Sequence, residues 1–310
     1  MPDSFNFPKI KFQKTISREV VCNGVGLHSG ALVDMKILPA KANEGISFIR
    51  TDLPSKPEIK ACYKNVCDTK LGTTLCNFEL EDVKVRTVEH LMAAFMGLGI
   101  DNAKVLLSDG EVPIMDGSSG TFVKLLVSSG IQEQLVSKKI IKAIRSFSLT
   151  EDNCFVSIEP SKDFIVDYKI DFSDSAIGVQ SKKVKFSSDV FEKDISSART
   201  FGMLNEVENL HKNGLALGGS IDNAIVVDNG KILNPGGLRY KDEFVRHKIL
   251  DLCGDTYLAG KPIQGHINAF CSGHKLNNKF LLEFLDDRKN YEIIDSITLI
   301  EKKEASLAIA

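Results

Sequence analysis

TVEHLMAAFMG, residues 87–97, is the stretch on which the fold most depends, because its apolar side chains recur at helical spacing. The pattern predicts a helix with Thr87 as its N-cap and with Gly97 and Gly99 at its end. DEFVRHKILDLC, residues 242–253, has the same period and predicts a second helix. A glycine-containing turn and a strand follow each helix, so two similar units lie far apart in the chain.

Predicted strands surround both helices. Residues 31–38 alternate apolar and polar side chains, as a half-buried strand does. Further strands are predicted at residues 103–107, 140–149, 155–159, 165–172 and 264–271, and a helix after residues 115–119. ILPAK at residues 37–41 resembles IEPSK at residues 158–162, each at a strand end, which favours an internal duplication. We therefore expect an α+β chain of two similar domains, residues 1–136 and 137–310.

Composition narrows the class of protein. The chain has 310 residues, of which 43% are apolar and 26% charged, and its net charge of −2 gives no basic excess for nucleic acid or an anionic membrane. Residues 1–5 do not resemble a secretory signal, and no apolar run approaches the roughly 18 residues of a membrane span. The seven cysteines, without a Cys-x-x-Cys pair, indicate reduced thiols in the cytoplasm. Residues 301–310 are expected to be a frayed tail.

Two side chains of the second predicted helix could share a metal ion. His247 and Asp251 are four residues apart, so both lie on one helix face, and Asp255 lies near the same stripe. A histidine and a carboxylate at this spacing can chelate one ion, and catalytic zinc uses three protein ligands with a fourth position open for water. Taken alone, the pair is more typical of a solvated helix face.

Glu89 and His90 lie in the first turn of the first predicted helix. A carboxylate beside a metal ligand can take a proton from water. Ala93 and Ala94 stand where a His-Glu-x-x-His motif would have its second histidine, so a site on His90 must take its other ligands from distant parts of the chain. Alone, Glu89 and His90 are more typical of a charge pair at a helix N-terminus.

The remaining histidines give weaker signals. His274 follows a predicted strand inside a glycine turn, where backbone can approach a ligand, although an exposed loop histidine is the simpler interpretation. His28 lies in the glycine-rich turn at residues 24–30 and is interpreted as serving that turn. His211 and His266 have neither acidic nor glycine-rich surroundings and are interpreted as structural or exposed.

Several motifs occur in a fixed order along the chain: GVGLHSG at 24–30, TVEHL at 87–91, PIMDGS at 113–118, ARTFG at 198–202, FVRHKILD at 244–251 and SGH at 272–274. In this order they resemble the UDP-3-O-acyl-N-acetylglucosamine deacetylases, zinc enzymes of the committed step of lipid A synthesis in Gram-negative bacteria. The resemblance covers residues 15–285. It implies hydrolysis of an N-acetyl group to a free amine and acetate. It also implies two α+β domains whose helices are sandwiched between two outer sheets, with an insert in each domain.

The resemblance implies a metal site. His90, His247 and Asp251 would be the zinc ligands, and Glu89 would act as the general base on zinc-bound water. Imidazole and carboxylate ligands suit several divalent ions, so the sequence leaves Fe2+ open as the metal in the cell.

The resemblance also assigns roles around the substrate. His274, as an imidazolium oriented by Asp255, would stabilise the developing oxyanion and protonate the leaving amine. Thr200 would hydrogen-bond the same oxyanion, Phe201 would pack against the sugar, and Lys248 would approach the diphosphate. The implied partner is a small acylated UDP-sugar, and the sequence indicates no protein partner, no nucleic acid and no stable membrane insertion.

An additional segment at residues 199–222, with a predicted helix at residues 204–212, would form a passage for the 3-O-acyl chain. The side chains suited to this passage are apolar or small: Leu204, Val207, Leu210, Ala216, Gly219, Ser220 and Ile221. A surface helix with one buried face is the alternative interpretation of this segment.

Two other functions stay open at this point. One is a non-catalytic protein that binds acyl sugars and holds a structural metal, although structural zinc sites are usually closed by four protein ligands. The other is a metal-dependent deacetylase of a different N-acyl sugar.

Overall fold

The computed structural model describes residues 12–80 and 83–297. The tail predicted at residues 301–310 lies outside this range. The described part consists of several β-sheets packed on helices, so the predicted α+β class is confirmed. None of its helices combines the length and apolar character that crossing a membrane requires.

The elements of the first half alternate short strands with two helices. They are β1 (Phe12–Ile16), β2 (Val20–Val25), β3 (Leu32–Pro39), β4 (Ile46–Arg50), β5 (Glu58–Lys60), β6 (Val66–Asp68), β7 (Thr74–Cys76), β8 (Lys84–Val85), α1 (Glu89–Leu98), β9 (Ala103–Leu107), α2 (Gly120–Ser128) and β10 (Ile131–Ser137).

The second half repeats this alternation with longer elements. They are β11 (Lys139–Ala143), β12 (Phe147–Glu151), β13 (Cys154–Glu159), β14 (Phe164–Asp171), β15 (Val179–Lys185), α3 (Ser188–Val190), β16 (Phe201–Met203), α4 (Leu204–Lys212), β17 (Ile225–Asp228), β18 (Lys231–Ile232), α5 (Glu243–Tyr257), β19 (Ile263–Phe270), α6 (His274–Asp286) and β20 (Tyr291–Asp295).

Two large sheets share one strand arrangement. In the first, with the order β2-β3-β9-β4-β5, the central strand β9 is antiparallel to β3 and parallel to β4. In the second, β19 is likewise antiparallel to β13 and parallel to β14, with β12 and β15 outside them. Helices α1 and α2 flank β9 in the chain, as α5 and α6 flank β19. The similar pentapeptides lie at the ends of β3 and β13, which are equivalent strands, so the predicted duplication agrees with the topology.

A small additional sheet interrupts each half at the same topological position. The first insert, β6-β7-β8, lies between β5 and α1, and the second, β16-β17-β18 with α4, lies between β15 and α5. The second insert continues to Ile232, beyond the predicted segment at 199–222. The domain boundary after residue 136 stays a prediction; β10 ends at Ser137 and β11 begins at Lys139.

Helices α1 and α5 pack directly against each other, and one hydrophobic core joins them to both large sheets. At their contact a Cβ on Gly254 would lie 2.0 Å from the carbonyl oxygen of Glu89, so only glycine permits this approach. Because both helices are enclosed by other elements, nearly all of their residues are buried, including polar ones. The interpretation of His247 and Asp251 as residues of a solvated helix face is therefore wrong.

The start of α1 differs from the prediction. Val88, not Thr87, occupies the N-cap position, and Thr87 has a left-handed φ of 57°. The Thr87 hydroxyl donates instead to Oε1 of the buried Glu111, at 2.8 Å. The left-handed backbone of Thr87 is also not the extended conformation that an N-cap residue adopts. Gly99, with a φ of 69°, ends the helix as predicted.

The strand predicted at residues 140–149 is divided into β11 and β12. The backbone N–H of Ile144 donates to the carbonyl of Asn290 at 2.9 Å, which extends the pairing of β11 with β20 by one residue before the chain leaves it and β12 pairs with β13. The apolar pattern continues through this break, so periodicity alone did not reveal it.

Two of the cysteines expected to be reduced form a disulfide. Cys67 in β6 and Cys76 in β7 lie on neighbouring strands of the first insert, with their Cα atoms 5.9 Å apart. Because the pair is brought together by the strand pairing and not by a short motif, the sequence spacing did not indicate it. The other five cysteines of the described residues are free: Cys22, Cys62, Cys154, Cys253 and Cys271.

Replacing Gly254 with alanine should separate α1 from α5. The added Cβ meets backbone that cannot move aside cheaply, so we expect a loss of roughly 1–3 kcal/mol in the free energy of unfolding. Gly236→Ala is the matched control, because a Cβ at Gly236 meets nothing within 4 Å. Urea unfolding of both variants checks this, and equal stabilities would contradict the close approach.

Candidate active site between the two central helices

His90 of α1 meets His247 and Asp251 of α5 where the helices touch, and each residue is only 3% exposed. Nε2 of His90 lies 3.6 Å, and Nε2 of His247 3.3 Å, from Oδ1 of Asp251. Ligand atoms bound tetrahedrally at about 2.1 Å from one zinc ion are about 3.4 Å apart, so both distances to Asp251 match those of a shared ligand set. Within the described residues, no other group of three histidine, cysteine or acidic side chains is gathered in this way.

The surrounding hydrogen bonds leave these atoms available to a metal. Nδ1 of His247 lies 3.0 Å from the carbonyl of Ala198, and by donating there it leaves the Nε2 lone pair facing Asp251. Oδ1 of Asp251 is buried without a hydrogen-bond partner among the described residues, which is costly unless a cation binds it. Burial lowers the pKa of His247 to about 4, so its imidazole is in the neutral form that binds metals. The residues present therefore fit a divalent metal ion.

Lys248 holds the other oxygen of the same carboxylate. Its Nζ lies 3.0 Å from Oδ2 of Asp251. Burial works against ionisation of Asp251, but His247 and Lys248 outweigh it and hold the pKa of this carboxyl well below its usual range. The ion pair thus directs Oδ1 towards the histidines. The contact of Lys248 with a diphosphate stays a prediction.

Glu89 and His274 lie beside the metal-ligand cluster. Nε2 of His274 is 3.9 Å from Oε1 of Glu89, and its Nδ1 is 2.8 Å from Oδ2 of Asp255. Burial opposes a charge on His274, but Asp255 and Glu89 outweigh it and raise the pKa of the imidazole to about 9. Burial raises the pKa of Glu89. A cationic acid and a buried carboxylate base can therefore reach the same small reacting group.

Two further residues, Thr73 just before β7 and Asn277 of α6, hydrogen-bond to Glu89 and to Asp255. The backbone N–H of Thr73 donates to Oε2 of Glu89 at 2.9 Å, and the Thr73 hydroxyl donates to Oδ1 of Asp255 at 2.6 Å. Nδ2 of Asn277 donates to Oδ2 of Asp255 at 2.8 Å. Sequence reasoning missed Thr73 and Asn277, because neither belongs to a motif and no spacing relates them to Asp255.

An apolar cavity of about 330 Å³ lies next to the cluster. Its lining includes every residue predicted for the acyl passage: Leu204, Val207, Leu210, Ala216, Gly219, Ser220 and Ile221. Thr200 and Phe201 also line it, and the Phe201 ring meets the His247 ring edge-on with the centroids 6.2 Å apart. The cavity wall therefore continues into the metal-ligand cluster.

His28 also belongs to the wall of this cavity, although the sequence assigned it only to a turn. Its Nε2 lies 3.2 Å from the carbonyl of Leu71, and its Nδ1 lies 3.4 Å from the backbone N–H of Ala216. The ring thus ties the two inserts together across the cavity. His211, which was interpreted as structural or exposed, lines the cavity too. The only available signal was that His28 lies in one of the family motifs.

Two imidazoles and a carboxylate, with a further imidazole and carboxylate beside them, match what a metal-dependent hydrolase needs: a metal site, a base for water and an acid for the leaving group. The chain belongs to the LpxC family, UDP-3-O-acyl N-acetylglycosamine deacetylase, whose family model matches residues 13–286. It is therefore an enzyme of the class that hydrolyses amides.

Curated relatives support the same family. A UDP-3-O-acyl-N-acetylglucosamine deacetylase of Shewanella halifaxensis is 47% identical over 285 residues, covering 91% of this chain and 92% of the relative. A protein of the same name from Shewanella baltica is 44% identical over 301 residues, covering 96% of each chain.

Replacing His90 or His247 with alanine should remove a metal ligand and weaken metal binding by at least about tenfold. Elemental analysis after dialysis measures the bound metal, and far-UV circular dichroism should stay nearly unchanged. His266→Ala, which lies outside the cluster, is the control and should keep its metal. Full metal retention in both ligand variants would remove this site from consideration.

Proposed function

We propose that this enzyme hydrolyses the N-acetyl group of UDP-3-O-acyl-N-acetylglucosamine to a free amine and acetate, in lipid A synthesis in the cytoplasm of a Gram-negative bacterium. The observation that carries the proposal is the apolar cavity whose Phe201 contacts His247 of the metal-ligand cluster, with Glu89 and His274 beside that cluster. The substrate has matching features: an amide for the metal-ligand cluster and the acid–base pair to cleave, and a long acyl chain for the cavity to enclose. The names of the Shewanella relatives agree with this activity.

Zinc is the metal we propose for His90, His247 and Asp251. Catalytic zinc sites combine three protein ligands of these types with one open position. When bound, zinc supplies Lewis acidity, which lowers the pKa of water to around 7 and polarises the acetyl carbonyl. Fe2+ suits the same ligands, and the supply of metals in the cell decides between the two.

Glu89 and His274 move the protons of the reaction. Glu89 takes a proton from the attacking water, whose oxygen bonds to the acetyl carbon. His274 gives its proton to the amide nitrogen as the carbon–nitrogen bond breaks, so that the amine leaves neutral and acetic acid forms, which loses its proton to water as acetate. The pKa of about 9 keeps His274 protonated at neutral pH, as a general acid requires.

Three further side chains are proposed to bind the substrate. The Thr200 hydroxyl hydrogen-bonds the oxyanion that develops on the acetyl group, and Phe201 packs against the sugar beside His247. Lys248 reaches the diphosphate while keeping its bond to Asp251, because an ammonium group has three donors.

The two halves are proposed to be domains that contribute separate parts of the site. Residues 1–136 carry Glu89 and His90, and residues 137–310 carry the other metal ligands and His274. The support for this division is the repeated sheet topology, together with the change of sheet between β10 and β11.

The family match makes the chain an enzyme, which excludes the non-catalytic protein with a structural metal that the sequence left open. Structural zinc sites are closed by four protein ligands, and they have no need for a neighbouring imidazolium and carboxylate. Acetate release from UDP-3-O-acyl-N-acetylglucosamine, measured with the metal-loaded protein, tests the proposal. The same sugar without its UDP group is the control for a deacetylase of another substrate. A folded, metal-loaded protein that releases no acetate would show the proposed function to be wrong.

Asp255→Asn should move the basic limb of the activity profile to lower pH. We expect this limb in the parent enzyme to follow the loss of the His274 proton, because the pKa of His274 is raised to about 9. Asp255 is the main group that raises the pKa of His274, so without its charge the imidazolium loses its proton at a lower pH. A pH profile of kcat/KM measures the shift, and the exposed Asp34→Asn is the control that should leave the profile in place.

Acyl-chain length should control kcat/KM. Each methylene transferred from water contributes about 0.8 kcal/mol, so a 3-O-acyl group shorter by four carbons should cost roughly 3 kcal/mol, on the order of a hundredfold. Gly219→Trp should narrow the cavity, harming the long-chain substrate and sparing a short-chain one, whereas Gly236→Trp on the surface should harm neither. A parent enzyme that is indifferent to chain length would refute the acyl passage while leaving the metal site intact.

A further inference from the structure

We propose that Thr73 is a positioning residue that aligns both the base and the acid of the reaction. The inference rests on the proposed function and adds to it a residue outside every family motif quoted above. Thr73 immediately precedes β7 in the first insert and is only 1% exposed. It is therefore a buried polar residue, and both of its donors need acceptors.

Both acceptors are carboxylates of the site. The Thr73 N–H donates to Oε2 of Glu89 at 2.9 Å, and its hydroxyl donates to Oδ1 of Asp255 at 2.6 Å. Glu89 lies on α1 and Asp255 on α5, so one residue of the insert is bonded to both central helices. Hydrogen bonds to charged acceptors are about twice as strong as neutral ones, which suits them to fix geometry.

The bond to Glu89 selects which of its oxygens can react. Oε2 is held by Thr73, and Oε1 is left on the side of His274, 3.9 Å from its Nε2. Gly72 keeps this side open, because a Cβ on Gly72 would lie 3.1 Å from Oε1. The segment Gly72-Thr73 thus holds one oxygen of the base and leaves the other unobstructed.

The bond to Asp255 acts on the acid. Oδ2 of Asp255 accepts from Nδ1 of His274 and from Asn277. Among the described residues, only the Thr73 hydroxyl donates to Oδ1. Without that hydroxyl, a buried oxygen would lose its partner and the carboxylate could rotate. Rotation would change the direction of its bond to His274 and misplace the proton that the amine receives. A misplacement of about 1 Å can cost on the order of a hundredfold in rate.

Three variants test the proposal. Thr73→Val keeps the shape and the backbone N–H but removes the hydroxyl, and Thr73→Ser restores the hydroxyl. Thr15→Val is the matched control, because it deletes a buried threonine hydroxyl that donates to the carbonyl of Asn102 at 2.8 Å.

We expect Thr73→Val to lower kcat by roughly tenfold to a hundredfold, with KM within about twofold and the bound metal unchanged. Thr73→Ser should recover most of the lost kcat, and Thr15→Val should lose stability without losing kcat. If Thr73→Val keeps its kcat, or if Thr73→Ser fails to recover it, Thr73 is not a positioning residue.

A second measurement does not depend on activity. The Nδ1 proton of His274, held by Asp255, should give a low-field NMR signal that moves in Thr73→Val, returns in Thr73→Ser and is unchanged in Thr15→Val. If the parent releases no acetate but the signal follows this pattern, the proposed function fails and the alignment by Thr73 stands. A signal unaffected by Thr73→Val would overturn the alignment.

Discussion

The close approach of α1 to α5 is the constraint on which the rest of the structure depends. Because Gly254 has no side chain, the backbone of Glu89 comes into contact with α5, and polar groups from helices far apart in sequence are buried together. Burial lowers the pKa of His247, and it leaves an oxygen of Asp251 without a hydrogen-bond partner in the part of the chain that the structure describes. Charges that water would screen at the surface interact strongly here. The packing of the helices, and not the residue types alone, therefore creates the metal-ligand cluster.

Much of this arrangement could be predicted from local pattern. The apolar period indicated both central helices, and the four-residue spacing of His247 and Asp251 indicated a shared face. The spacing could not indicate that the face is buried, because a helix pattern carries no information about what covers it. Adding His90 required the combined family motifs. The N-cap prediction for Thr87 failed for a related reason, since Glu111, which accepts the bond from its hydroxyl, lies 24 residues away in the chain.

Most of the contacts that the sequence did not predict involve the two inserts, and Asn277 of α6 is the exception. Thr73, His28 and the disulfide partners Cys67 and Cys76 act through strand pairing and turn geometry, which fix their neighbours only once the chain is folded. Their residue types are ordinary for loops and short strands. A histidine in a glycine-rich turn, or a threonine before a strand, has many structural explanations. Its type and position alone therefore do not indicate a functional role.

Helix α4 has an unusual dependence on its surroundings. None of its residues, Leu204–Lys212, is buried, yet Leu204, Val207 and Leu210 line the cavity. Short helices take most of their stability from tertiary packing, and this one has its apolar side turned towards a space and not towards other side chains. In the proposed enzyme an acyl chain occupies that space, so the ligand supplies the missing core of a protein segment. Selectivity for acyl-chain length then depends in part on the folding equilibrium of α4, because a shorter acyl chain leaves the helix less completely formed.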